Sequence, residues 1–302
     1  MTTSLCHSLQ HLCKGRQACC PAIPSQWPSG NNPLFETYGT AKMILVILVV
    51  LITATTGWSQ SKSPSNKNNL VGHEDREGAI IQFHAPQKEV YLLFSAHDFG
   101  EGGTHIARVL TRQRAGGSFF FTGDFLRNTK YKKLIRRLKK HGHYIGSHSD
   151  KHLLYNDWVK RDSLLVTKDE FDNDLQNSLN ELDNHGIKSG KWYLPPYEWY
   201  NHSIVQWSKE HGLTVINFTP GTVTNADYTT PDMKNYRSSD HLLQRLFDVE
   251  STKGLAGNMI LIHLGTDAKR TDKFYFKLDE MIKVLRGKGY QMKALPYEGT
   301  TN

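Results

Sequence analysis

The stretch His148-Ser149-Asp150-Lys151-His152 sets two imidazoles four residues apart, directly after the short apolar run 144–147. Histidines at i and i+4 can face the same way on one helical turn, and the Asp98 carboxylate would complete a three-ligand metal set with one position open for water or substrate. The chain has 15 histidines, so one such pair is unremarkable alone. The positions of the other polar groups give it weight.

Working outward, short apolar runs alternate with helical patterns from about residue 78, which predicts a parallel α/β arrangement. Strands are expected at 90–95, 118–122, 144–147, 192–194, 213–218, 259–262 and 290–294, with an extra strand at 79–83 before them. Helices are expected near 104–114, 130–141, 168–185, 201–211, 239–249 and 272–286. Thr167 and Glu170 form a capping box, the stripe Phe171, Leu175, Leu179 and Leu182 marks a core face, and Gly186 stops the helix. His97 and Asp98, His148 and His152, Tyr197, and His263 each fall just past the end of a different strand. In a parallel barrel those ends share one face, where active sites are built. His141, His185 and His211 precede glycines at helix C-termini and need no function there.

These residues resemble the polysaccharide deacetylases of carbohydrate esterase family 4, the NodB-homology domain, over about 78–297. The fold implied is a distorted (β/α) barrel of about seven parallel strands. Ser95-Ala96-His97-Asp98-Phe99 corresponds to the family's Thr-Phe-Asp-Asp-Gly block, so Asp98 inherits the metal role and His97 stands at the position of the catalytic base. His148 and His152 match the family's His-Ser/Thr-x-x-His ligands. Leu194-Pro195-Pro196-Tyr197 matches Arg-Pro-Pro-Tyr, implying the Tyr197 backbone N–H as oxyanion donor, and Leu261-Ile262-His263 makes His263 the implied general acid. The segment Thr219-Pro220-Gly221-Thr222 stands where the family has the acidic block that orients that histidine. Leu194 in place of Arg fits a histidine at position 97, because a neighbouring cation would oppose imidazole protonation.

The resemblance implies hydrolysis of N- or O-acetyl groups on a carbohydrate with one divalent ion. Zinc is the first choice for two nitrogens and one oxygen, and the same set admits cobalt, nickel or iron. The partner is then an acetylated glycan or oligosaccharide. Tyr155, Trp158, Trp199, Tyr200, Tyr228 and Tyr236 are candidates to line its cleft, under a loop at 219–232. A carbohydrate-binding pseudoenzyme that keeps the fold is the alternative, since Leu194 and Thr219 depart from the catalytic pattern.

Composition is that of an ordinary globular protein of 302 residues with net charge +8. The densest basic run, 130–140, carries Tyr131, Leu134, Ile135 and Leu138 at helical spacing and reads as a solvated helix face, so no nucleic-acid partner is expected. The uncharged apolar block 43–52, followed by Gly57-Trp58-Ser59-Gln60, reads as a signal peptide over 43–59 with cleavage after Ser59. The mature chain is then exported, periplasmic or extracellular, without stable membrane association. All four cysteines precede that block, leaving the mature part without disulfides. Residues 1–42 read as a non-native or disordered extension, and 60–77 as a polar linker into the catalytic domain at 78–297.

Overall fold

The computed structural model describes residues 70–297. The expectations for 1–42 and 43–59, and for the start of the 60–77 linker, lie outside the described residues. Ordered backbone begins earlier than the expected boundary at 78. Strand β1 (Gly72–Glu74) pairs antiparallel with β2 (Ile80–Phe83), so part of the expected linker is a hairpin arm.

The central sheet is parallel. Strand β3 (Glu89–Ala96) pairs with β4 (Ser118–Phe121) on one side, and β4 with β5 (Tyr144–Ser147). On the other side β3 pairs with β8 (Met259–His263) and, at its start, with β9 (Gln291–Lys293). Strands β6 (Trp192–Tyr193) and β7 (Thr214–Val215) form a short parallel pair of their own. Single contacts then curl the layer towards closure. The Leu194 N–H donates to the Ser147 carbonyl at 3.3 Å, and Ile80 bridges Ile216 in parallel register. Thr219 closes the next gap, its hydroxyl donating to the Ile81 carbonyl at 2.6 Å and accepting from the Met259 N–H at 2.9 Å. The result is a distorted (β/α) barrel with seven strands, β3 to β9, in parallel ladders among the described residues.

The strands read as continuous apolar runs because both faces are buried. Val90, Leu92, Phe94 and Ala96 of β3 pack outward with Phe119, Phe121, Ile260 and Ile262 against the helices. The alternate residues Tyr91, Leu93, Phe120, Met259 and Leu261 fill the barrel with Phe83, Tyr144, Trp192, Leu194 and Ile216. Helices α1 (Gly103–Arg112), α3 (Lys132–Lys140), α6 (Ser239–Lys253) and α7 (Leu278–Gly287) supply much of the outer layer. The short α2 (Gly123–Arg127), capped by Thr122, was not anticipated. Helix α4 (Lys168–Asn184) starts at the expected reciprocal capping box, and α5 (His202–Glu210) at Asn201. No helix among the described residues is long and apolar enough to cross a membrane.

Candidate active site

The strand ends bring the expected residues to one mouth. Register places Ser95 opposite His263, and Phe121 opposite Ser147, so the loops carrying His97, His148 and His263 leave the sheet at one level. The pair His148 and His152 does not sit on a helical turn. Ser149 and His152 have φ of 72° and 55°, and the Ser149 hydroxyl accepts from the His152 N–H at 2.9 Å. This tight loop is braced by Asp174 of α4, which accepts from the Lys151 N–H at 2.8 Å and the Tyr155 hydroxyl at 2.6 Å.

The loop aims the two Nε2 atoms at each other across 3.3 Å. Nδ1 of His148 lies 2.7 Å from the Leu194 carbonyl. A carbonyl only accepts, so that nitrogen carries the proton and Nε2 presents its lone pair. Burial lowers the pKa of His148 to about 3, and burial with the neighbouring His148 lowers that of His152, so both rings are neutral, the form that binds a cation. Two metal bonds of about 2.0–2.1 Å at a tetrahedral angle set their nitrogens about 3.3–3.4 Å apart, matching this pair. The donor chemistry therefore fits a divalent ion.

Asp98 is placed differently from expectation. Its side chain is 60% exposed and its Oδ1 lies 3.4 Å from Nε2 of His97. The His97 ring stacks on His152 with centroids 4.8 Å apart, and its Nδ1 is 3.2 Å from the Thr122 hydroxyl. Asp98 thus contacts His97, whose ring in turn stacks on His152. Among the described residues no group of three or more His, Cys, Asp and Glu is arranged so that it could hold a metal ion as it stands.

His263 has an acidic partner outside the segment 219–222, where the resemblance would put it. Asp227, in the 3₁₀ turn Thr224–Tyr228, accepts from His263 Nδ1 at 2.6 Å and from its backbone N–H at 3.0 Å. Burial alone would lower the His263 pKa, but the charge and hydrogen bond of Asp227 outweigh it and raise the value. Thr219 belongs to barrel closure instead of this dyad. Arg270 holds the Asp227 loop. It is fully buried and donates to the carbonyls of Thr229 at 2.8 Å, Arg237 at 3.0 Å and Asp272 at 2.7 Å. Neither Asp227 nor Arg270 carried a sequence signal, since each acts through a loop of irregular length.

Pro195 and Pro196 lead into Tyr197 and Glu198, with φ of 59° and 53°. The Tyr197 ring contacts His152 at 4.3 Å between centroids, which places this turn beside the His148–His152 pair. Glu198, also missed in the sequence, carries a carboxylate whose side chain is only 11% exposed and whose Oε1 is 3.9 Å from His148 Nε2. Burial raises its pKa to about 7. The Leu194 side chain points into the barrel core, so it does not face His97 as its substitution for Arg had suggested.

The aromatic candidates divide. Tyr155 and Tyr200 are core residues at 1% exposure, and Tyr155 hydrogen-bonds inside the protein. Trp158 and Trp199 are half-buried, 5.5 Å apart, with Trp158 also 5.5 Å from Tyr197. Tyr228 meets His263 edge-on at 5.6 Å, and Tyr236 lies over Arg270 at 5.0 Å.

Residues 83–216 match the family model for polysaccharide deacetylase. The peptidoglycan-N-acetylmuramic acid deacetylase PdaA of Bacillus subtilis is 25% identical over 232 residues, covering 76% of this chain and 76% of its own. The peptidoglycan-N-acetylglucosamine deacetylase of Bacillus cereus is 23% identical over 208 residues, covering 69% of this chain and 67% of its own. Among solved structures, the Bc1960 peptidoglycan N-acetylglucosamine deacetylase superposes with a TM-score of 0.59 at 20% identity, over 72% of this chain and 90% of that one. A carbohydrate esterase family 4 pseudoenzyme from Bacillus anthracis superposes with a TM-score of 0.57 at 20% identity, over 72% of this chain and 68% of that one. These similar structures establish the fold, and they include both a deacetylase and a pseudoenzyme. Residues 83–216 are thus similar to the polysaccharide deacetylase family, within a chain whose fold is that of carbohydrate esterase family 4 structures.

Proposed function

We propose that this protein is a metal-dependent carbohydrate deacetylase that hydrolyses N- or O-acetyl groups with a histidine as base. The observation that carries the reading is the pair of neutral imidazoles with Nε2 atoms 3.3 Å apart on the barrel mouth that also holds the His263–Asp227 dyad. His148 and His152 would hold a divalent ion, zinc in the first place, with Asp98 the carboxylate that the resemblance nominates. Such an ion polarises an acetyl carbonyl and makes a bound water more acidic.

The chain's own residues supply the proton transfers. His97 takes a proton from the attacking water, and Asp98, 3.4 Å from its Nε2, is placed to hold the ring and balance the charge it gains. The Tyr197 N–H donates to the oxyanion of the tetrahedral intermediate. His263, held by Asp227, delivers its proton to the departing amine or alcohol, so the bond from acetyl carbon to sugar nitrogen or oxygen breaks and acetate leaves. Trp158 and Trp199 offer apolar faces on which a sugar ring can stack beside that centre.

We infer further that the apolar block at 43–52 exports the chain and that cleavage follows Ser59. N-terminal sequencing of protein from a native-like host tests this, and an intact 1–42 segment on a cytoplasmic product contradicts it.

Acetate release across a panel of acetylated glycans, before and after chelation and with metal restored, tests the activity. Release that disappears on chelation and returns with metal supports the enzyme. Glycan affinity without acetate release under any metal identifies a binding protein, the reading favoured by Asp98 facing solvent.

A further inference from the structure

We propose that Glu198 supplies the carboxylate ligand of the metal site, together with His148 and His152, while Asp98 serves as partner to His97. The inference rests on the metal-dependent reading above and names a ligand that the resemblance does not.

The placement of the two carboxylates supports this division. Glu198 Oε1 lies 3.9 Å from the lone-pair nitrogen of His148, and its side chain is 11% exposed. Asp98 is 60% exposed and its Oδ1 lies 3.4 Å from Nε2 of His97. Among the described residues the Glu198 carboxylate makes no side-chain hydrogen bond and no ion pair with Lys or Arg, and only the His263 and Asp227 charges act on it from a distance, whereas buried carboxylates ordinarily have a direct partner. A cation between it and the two imidazoles would be that partner. The approach needed is small, because a flexible side chain has only to swing towards nitrogens already in place.

The backbone points the same way. A non-glycine residue in the left-handed region costs free energy, and such strain persists where surrounding structure imposes it, often at functional sites. Six non-glycine residues have positive φ among the described residues, and four of them, Ser149, His152, Tyr197 and Glu198, belong to the two loops of this site. Glycine would adopt φ of 53° at position 198 without penalty. A glutamate there is explained by its side chain, which the strained turn directs towards His148.

The division of labour also resolves the odd neighbourhood of His97. With Asp98 3.4 Å from Nε2 and Thr122 3.2 Å from Nδ1, the ring has a polar partner on each nitrogen. An Asp98 bound to metal would surrender its charge to the ion and leave His97 without that counterpart.

Zinc and cobalt affinity of the full chain, measured by isothermal titration with metal content checked on the same preparations, tests the assignment. E198Q is expected to weaken binding by more than about 100-fold, above the roughly 10–100-fold typical of residues that only support a ligand. D98N is expected to weaken it by less than about 10-fold. E198G separates the ligand role from folding: it should lose metal as E198Q does while melting at or above the wild-type temperature, because glycine relieves the left-handed turn. The visible absorption of bound cobalt should change in E198Q and persist in D98N. Unchanged affinity in both Glu198 variants, or loss confined to D98N, overturns the proposal and leaves the metal-dependent reading intact. Unchanged metal in H148A and H152A overturns that reading itself.

Discussion

Nδ1 of His263 lies 2.6 Å from Oδ1 of Asp227, and the backbone N–H of the same histidine donates to the other carboxylate oxygen at 3.0 Å. The two contacts fix the ring's tautomer and orientation, leaving Nε2 for the substrate. A general acid must be protonated to act, and Asp227 raises the His263 pKa. Removing that charge lowers it. D227N should therefore move the alkaline limb of the activity profile to lower pH and reduce turnover by about 100-fold or more. An alkaline limb that stays in place would show that His263 is not the acid.

H148A and H152A should each abolish stoichiometric metal binding, since three protein ligands are near the minimum for a catalytic site. Metal analysis after dialysis is the measurement, and full retention in both variants would mean that the ion sits elsewhere.

H97A should lower acetate release by roughly 100-fold or more while metal remains bound, because general bases contribute about 10²–10⁴. The Nδ1 contact with Thr122 predicts a milder loss for T122V, where the ring keeps its stack on His152 but loses one polar partner. Loss of metal in H97A would instead make His97 a ligand.

The metal-free protein should be acid-labile. Burial lowers His143 to about 4 and His148 to about 3, and lowers His152 as well, whereas an unfolded histidine titrates near the ordinary value of about 6.5. As pH falls, the unfolded chain binds these protons first, so the stability they confer is present above pH 6.5 and lost towards pH 4. His143 alone corresponds to roughly 3 kcal/mol on this scale. Melting temperatures recorded with chelator from pH 7 to pH 4 should fall, and H143Q should fall less steeply.

Arg270 is the structural key to the Asp227 loop. R270M leaves three carbonyl acceptors without their donor and should destabilise the protein by about 3 kcal/mol or more, given typical costs of about 1–3 kcal/mol for each unsatisfied buried group. Chemical denaturation gives the value directly. A change below about 0.5 kcal/mol, typical of surface substitutions, would contradict the latch.

Sequence alone determined the succession of parallel strands, because a strand buried on both faces needs an unbroken run such as Val90 to Ala96, and it placed His97, His148, Tyr197 and His263 at strand ends. It also specified the start of α4, where the capping box of Thr167 and Glu170 is a local interaction. Only the tertiary structure decided what met what beyond those ends. Asp227 lies 36 residues from His263, and Glu198 lies 50 from His148. Thr219 joins a barrel seam, and Leu194 offers His148 a carbonyl while its side chain enters the core. Such contacts run through irregular loops, whose paths are set by packing and by hydrogen bonds to distant backbone groups. No periodicity in the chain encodes them. The left-handed turns at His152 and Glu198 are likewise imposed by their surroundings, since their local preferences oppose those conformations.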